Sequence, residues 1–82
     1  MVQVIFDKDF QKTIEKVKDN VFKEQVKKQI EKIINNPEIG KPMKYNRKGT
    51  REVYVGHFRL SYKYHYDTNT LEFLEVYHKD EQ

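Results

Sequence analysis

The chain contains no cysteine among its 82 residues, so neither a disulfide framework nor a thiolate metal centre is open to it. Stability has to come from packing, with a bound partner as a further source, and a reducing cytoplasm is the expected compartment. No apolar run approaches the roughly 20 residues of a membrane-spanning helix. The opening Met1-Val2-Gln3-Val4-Ile5-Phe6 also lacks the basic start and long apolar stretch of a secretory signal, so no membrane partner is expected. The three histidines show no ligand spacing of the H-E-x-x-H kind, and no glycine-rich phosphate loop is present. Neither a metal nor another cofactor is expected. One absence is local: Gly40 to Arg51 contains no acidic residue.

What is present is a single small domain, 1–82, of a size that buries only about 60 to 65% of its unfolded surface. The net charge of +3 is unevenly placed. From Ile39 to Tyr66 there are seven basic residues, Lys41, Lys44, Arg47, Lys48, Arg51, Arg59 and Lys63, against the single acid Glu52, which leaves the remainder of the chain net negative. A basic segment on an otherwise mildly acidic protein points to a polyanion partner, of which nucleic acid is the commonest. The alternative is a solvated lysine-rich surface.

Val2, Val4, Ile5 and Phe6 read as a short first strand. Asp7 is placed to cap a helix whose apolar stripe is Phe10, Ile14 and Val17. Asp19-Asn20 breaks that pattern. A second helix carries Phe22, Val26, Ile30, Ile33 and Ile34 and ends at Asn35-Asn36-Pro37. Both helices read as scaffold without chemistry. Gly40 to Gly49 reads as a basic loop. Glu52 to Lys63 then forms a hairpin about Gly56-His57, a glycine-first turn of the II′ kind that pairs Val55 with Phe58, Tyr54 with Arg59 and Val53 with Leu60. Asp67-Thr68-Asn69 turns the chain into a last strand, Leu71 to Tyr77. There, Leu71 and Phe73 alternate out of phase with Leu74 and Val76, so the strand is either covered on both sides or bulged. The order β-α-α-β-β-β predicts an α+β fold with both helices on one face of a small antiparallel sheet.

Alternation gives the hairpin two faces. Valines, Phe58, Leu60, Tyr62 and Tyr64 belong to the core, while Glu52, Tyr54, Arg59, Ser61, Lys63 and His65 stand on an open face. If the last strand pairs antiparallel with Phe58 to Tyr66, Lys79 joins that face with Tyr77 and Glu75 behind it, and His78 turns to the core side unless the strand has already ended. Such a set suits metal-free attack of an RNA 2′-hydroxyl on its own phosphate. Arg59 and Lys79 are placed to hold the phosphoryl oxygens, Glu52, His57 and His78 are candidates for the proton transfers, and Tyr54 can stack on a base. Lys41, Lys44, Arg47, Lys48, Arg51, Tyr54, His57 and Lys63 are the expected RNA contacts. Glu52 and Arg59 could equally form a cross-strand ion pair.

Asn36-Pro37 with Gly40-Lys41-Pro42-Met43, then Gly56-His57-Phe58-Arg59-Leu60-Ser61-Tyr62, then Val76-Tyr77-His78-Lys79, resemble in order and spacing the RelE branch of the RelE/ParE toxin superfamily in its archaeal form. The resemblance covers nearly the whole chain. It implies a small mRNA endonuclease acting on the translating ribosome and neutralised by a RelB-type antitoxin in a hetero-oligomer. By position, Arg59 matches the family's hairpin arginine, Lys79 the basic residue after the last strand, and His78 a histidine that many members carry. Glu52 and Tyr54 stand where the best-known bacterial members place two lysines, and those members' tyrosine in a C-terminal extension has no counterpart. Two other readings are carried forward: a ParE-like toxin that inhibits DNA gyrase by binding, and a nonenzymatic RNA- or ribosome-binding module.

Overall fold

Two aspartates start the two helices. In the computed structural model, which describes residues 1–81, Asp7 accepts the Asp9 N–H at 2.9 Å and opens α1 (Lys8–Lys16). Asp19 accepts the N–H groups of Val21 and Phe22 at 2.9 and 3.2 Å and opens α2 (Asn20–Asn35). Each cap satisfies donors that the first helical turn leaves unpaired. Both helices lie on one face of a sheet built from β1 (Gln3–Phe6), β2 (Lys41–Pro42), β3 (Arg51–Val55), β4 (Phe58–His65) and β5 (Thr70–His78). The strand order is β1-β5-β4-β3-β2, with α1 against β5 and α2 against β3.

Phe10, Val26 and Ile33 from the helices meet Val55, Leu60, Tyr62, Leu71, Phe73 and Val76 from the sheet. Phe6 and Phe10 stack beside Phe73 with ring centroids 5.5 to 5.9 Å apart. The expected helix stripes hold in part: Ile14, Phe22 and Ile30 pack against this core, Val17 falls at the extended C-cap of α1, and Ile34 is about a third exposed. Among the described residues no helix is long and apolar enough to cross a membrane.

The α+β class and the helix placement agree with the sequence; two details of the sheet do not. First, β1 pairs with β5 in parallel, so the sheet is mixed rather than antiparallel. The helical pair that follows β1 carries the chain back across the sheet before the hairpin begins, which leaves β1 beside the last strand in the same direction. Second, the basic loop is structured. Lys41–Pro42 forms a two-residue edge strand on β3, and Tyr45–Arg47 makes a 3-10 turn.

The hairpin register is the expected one, Val55 opposite Phe58, Tyr54 opposite Arg59 and Val53 opposite Leu60. Gly56 has φ +60° while His57 is not in the left-handed region, as a II′ turn requires. The phase conflict in the last strand is resolved by a bulge: Ser61 faces Glu75 but Tyr62 faces Phe73, so Leu74 has no register partner on β4. Leu71, Phe73 and Val76 thereby all reach the core.

The chain leaving α2 is pinned to the sheet by one phenol. Tyr62 Oη donates to the Pro37 carbonyl at 2.7 Å and accepts the Gly40 N–H at 2.9 Å. A Cβ at Gly40 would lie 2.7 Å from that ring and hydroxyl, so only glycine fits this approach. Burial pushes the Tyr62 phenol above its ordinary value, against smaller opposing effects of the Gly40 N–H and Arg51.

Candidate active site

Register places Glu52, Ser61 and Glu75 in one row across β3, β4 and β5, and Tyr54, Arg59 and Tyr77 in the next, all on the face away from the helices. Glu52 is not open on that face, as alternation alone predicts. Its side chain is about 1% exposed, because the basic segment after β2 folds back over it. Arg47 brings its guanidinium to 3.6 Å from one Glu52 oxygen and 3.1 Å from Glu75, and lies 4.7 Å over the Tyr77 ring. Tyr77 Oη donates to that same Glu52 oxygen. Arg59 approaches the other oxygen at 4.0 Å and lies 4.1 Å over the Tyr54 ring. One buried carboxylate is thus flanked by two arginine–tyrosine stacks.

The two arginines are differently engaged. Burial pulls the Arg47 guanidinium down, but the hydrogen bond to Glu75 and the charges of Tyr77, Glu75 and Glu52 together hold it above its ordinary value. Arg47 is thereby engaged by two carboxylates, with about 33% of its side chain still exposed. Arg59 is held by stacking and by charge at a distance too long for a hydrogen bond to Glu52. Among the described residues its guanidinium has no hydrogen-bond partner, so its donors remain available to an outside anion.

A cavity of about 230 Å³ opens at this point, lined by Lys41, Met43, Glu52, Tyr54 and Arg59. Lys41 stands directly opposite Glu52 on the β2 edge. Lys44, Lys48 and Lys63 are exposed. Arg51 is turned away, donating to the carbonyls of Glu38 and Gly40 at 3.0 and 2.9 Å, which ties down the β2 segment instead of facing the cavity. Tyr45 is 90% exposed with φ +59°, an uncommon conformation for an aromatic residue, and no periodicity in the sequence marks it.

The remaining candidates gather at the far end of the sheet. β5 continues through His78, which faces Phe58 across the register and turns to the helix side, edge-on to the Phe58 ring at 5.2 Å. His57 is 6.5 Å from it, centroid to centroid, and the Lys79 N–H donates to the His57 carbonyl at 3.1 Å. His78 and Arg59 therefore occupy opposite faces of adjacent strands. The exposed Lys79 follows Tyr77 by two residues in a short 3-10 turn. Sequence reasoning brought Tyr77 and Glu75 to this face without giving either a role. The hydroxyl of Tyr77 opposite Glu52 is the signal that the strand pairing contained.

A family model described as ParE toxin of type II toxin-antitoxin system, parDE, matches residues 4–82. No curated protein matches significantly. Among solved structures, the toxin-antitoxin complex RelBE2 from Mycobacterium tuberculosis is similar at 23% identity, covering 95% of this chain and 98% of that one, with a TM-score of 0.80. The YoeB/ParE toxin from Agrobacterium tumefaciens gives 15% identity, 94% and 98% coverage and a TM-score of 0.85. The archaeal RelE-RelB complex from Pyrococcus horikoshii gives 13%, 99% and 98%, and 0.77. At these identities the likeness to solved structures carries the fold.

Proposed function

Since the chain belongs to the ParE toxin family of type II toxin-antitoxin systems, within the RelE/ParE superfamily, we propose that this toxin is a metal-independent endoribonuclease that cuts mRNA on the translating ribosome. The observation that carries this reading is the cavity in which a buried carboxylate, an arginine with unspent donors, a lysine and an exposed tyrosine converge. Glu52 takes the proton of the RNA 2′-hydroxyl, and the 2′-oxygen attacks the adjacent phosphorus. The bond to the 5′-oxygen breaks, and that oxygen is protonated from the cations rimming the cavity, Lys41 foremost. The products are a 2′,3′-cyclic phosphate and a 5′-hydroxyl. Arg59 holds the phosphoryl oxygens as their charge grows, because its planar fork stays protonated and grips two oxygens. Tyr54 offers a ring face to a base. Lys79 serves as an outer contact, while His57 and His78, grouped at the end of β5 with His78 turned to the helix side, lie outside this cavity. This activity places the protein in the cytoplasm.

The partner is a RelB-type antitoxin in a hetero-oligomer. Two of the similar structures are complexes of that kind, and the exposed Lys41, Lys44, Lys48 and Lys63 suit acidic antitoxin residues. Association that does not weaken with salt would remove the electrostatic half of this idea.

The test is to add the purified toxin to a translating extract and to map the message by primer extension. Discrete cuts are expected with wild type, and none with Arg59→Ala. Intact message at high dose ends the nuclease reading. The second reading, inhibition of DNA gyrase by binding, is supported by the ParE description of the family and by the internal pairing of Arg47 with two carboxylates. Loss of gyrase supercoiling with the same preparation is the result that favours it.

A further inference from the structure

The sequence gives the helices no chemistry, but one stripe of α2 borders a second cavity. Gln25, Lys28, Gln29 and Lys32 recur at i, i+3, i+4 and i+7, beside the apolar stripe that enters the core. Glu24 and Glu31 neighbour Lys28 at i−4 and i+3 on the side away from Gln29, but among the described residues neither Lys28 nor Lys32 forms an ion pair. These side chains and the strand end Tyr54–Gly56 line an open groove of about 210 Å³. Gln29 Nε2 donates to the Tyr54 carbonyl at 2.7 Å, fixing α2 against β3 beyond the reach of β2, which covers only Arg51 and Glu52.

Tyr54 is the wall common to this groove and the Glu52–Arg59 cavity. Arg59 covers one face of its ring at 4.1 Å, and the side chain is 59% exposed. The two cavities, each with exposed lysine, meet at Tyr54 where the edge of β3 is uncovered, the α2 groove on the helix side and the Glu52–Arg59 cavity on the other. A single strand passing round that edge can follow this arrangement with a base against the exposed tyrosine ring. We infer that the α2 groove is a second RNA subsite, holding the strand next to the scissile phosphate. Lys28 and Lys32 take backbone phosphates, and the base between the two cavities stacks on Tyr54. The inference rests on the RNA reading above and adds the path of the strand to it.

The test compares the full chain with its Lys28→Ala/Lys32→Ala double variant. Both lysines are exposed, so the variant folds, which circular dichroism checks. Binding of a fluorescent single-stranded RNA made uncleavable by 2′-deoxy substitution is measured across a salt series. Losing two phosphate contacts should weaken binding about tenfold at moderate salt and make the logarithmic salt dependence shallower by about 1.4. In the translating extract the variant should need more RNA to reach half-maximal cutting while retaining the wild-type rate at saturation. Unchanged affinity and slope beside a wild type that binds and cuts would overturn the groove alone. RNA bound but left uncut by wild type would sink the nuclease reading and leave the groove standing. Wild type that does not bind RNA removes both. A variant that binds RNA normally yet loses an acidic protein partner assigns the groove to that protein and overturns the inference.

Discussion

On the helix side of the sheet, Ile33, Leu60, Tyr62, Leu71 and Phe73 are withdrawn from water and, apart from one phenol, bury only carbon. On the opposite side the buried groups are Glu52, Ser61, Thr70 and Tyr77. The first side is stabilised by non-directional burial that tolerates swaps conserving volume. The second depends on a carboxylate whose partners must all be in place, because removing one member leaves the others desolvated without compensation. Packing makes the fold on one side of the sheet, and the same strands carry a polar cluster on the other.

The comparison is broken most severely by Phe73→Ala. It empties the centre of the stacked ring cluster and should cost about 3 to 5 kcal/mol by urea unfolding, a large share of the stability of so small a domain. Glu52→Ala should cost about 2 kcal/mol by the same measurement, since Tyr77 loses its acceptor and two guanidinium groups lose their common counter-charge. The milder Glu52→Gln sharpens the contrast. It should abolish cleavage and tighten binding of uncleavable RNA, because Arg59 no longer shares its charge with a carboxylate.

Tyr62→Phe should cost about 1 to 2 kcal/mol by freeing the Pro37 carbonyl and the Gly40 N–H. It should also change the pH profile. Burial holds the folded-state value of this phenol above that of the unfolded chain, so its contribution is complete below about pH 10 and is lost as pH rises through the folded value. Unfolding free energies measured from neutral to alkaline pH should therefore fall less steeply in the variant. Smallest is His65→Ala. It removes a 2.9 Å contact to Glu72 between two partly exposed side chains and should stay within about 0.5 kcal/mol.

Period-two alternation made the hairpin legible, and with it the placement of Arg59 beside Tyr54, because a two-residue turn fixes register residue by residue. The same rule misplaced Glu52. Alternation reports which face a side chain joins, not whether another segment covers that face. Arg47 closes over Glu52 through a 3-10 turn whose sequence has no period. The parallel pairing of β1 was hidden for a related reason: four residues specify a strand but not its neighbour. The α2 groove escaped because the acidic balance of the chain outside Ile39 to Tyr66 masked a lysine–glutamine stripe on one side of one helix.

The bulge at Leu74 sets the phase of β5. Without it, unbroken alternation from Phe73 would turn Glu75 and Tyr77 inward and Val76 outward, so core and cavity would fail together. Leu74 is in effect a spacer, and a chain lacking that one residue would alternate regularly with every remaining side chain on its present face. The same deletion at Val76 would send Tyr77 to the wrong layer. Tolerance to a missing residue in this strand is therefore confined to its bulge.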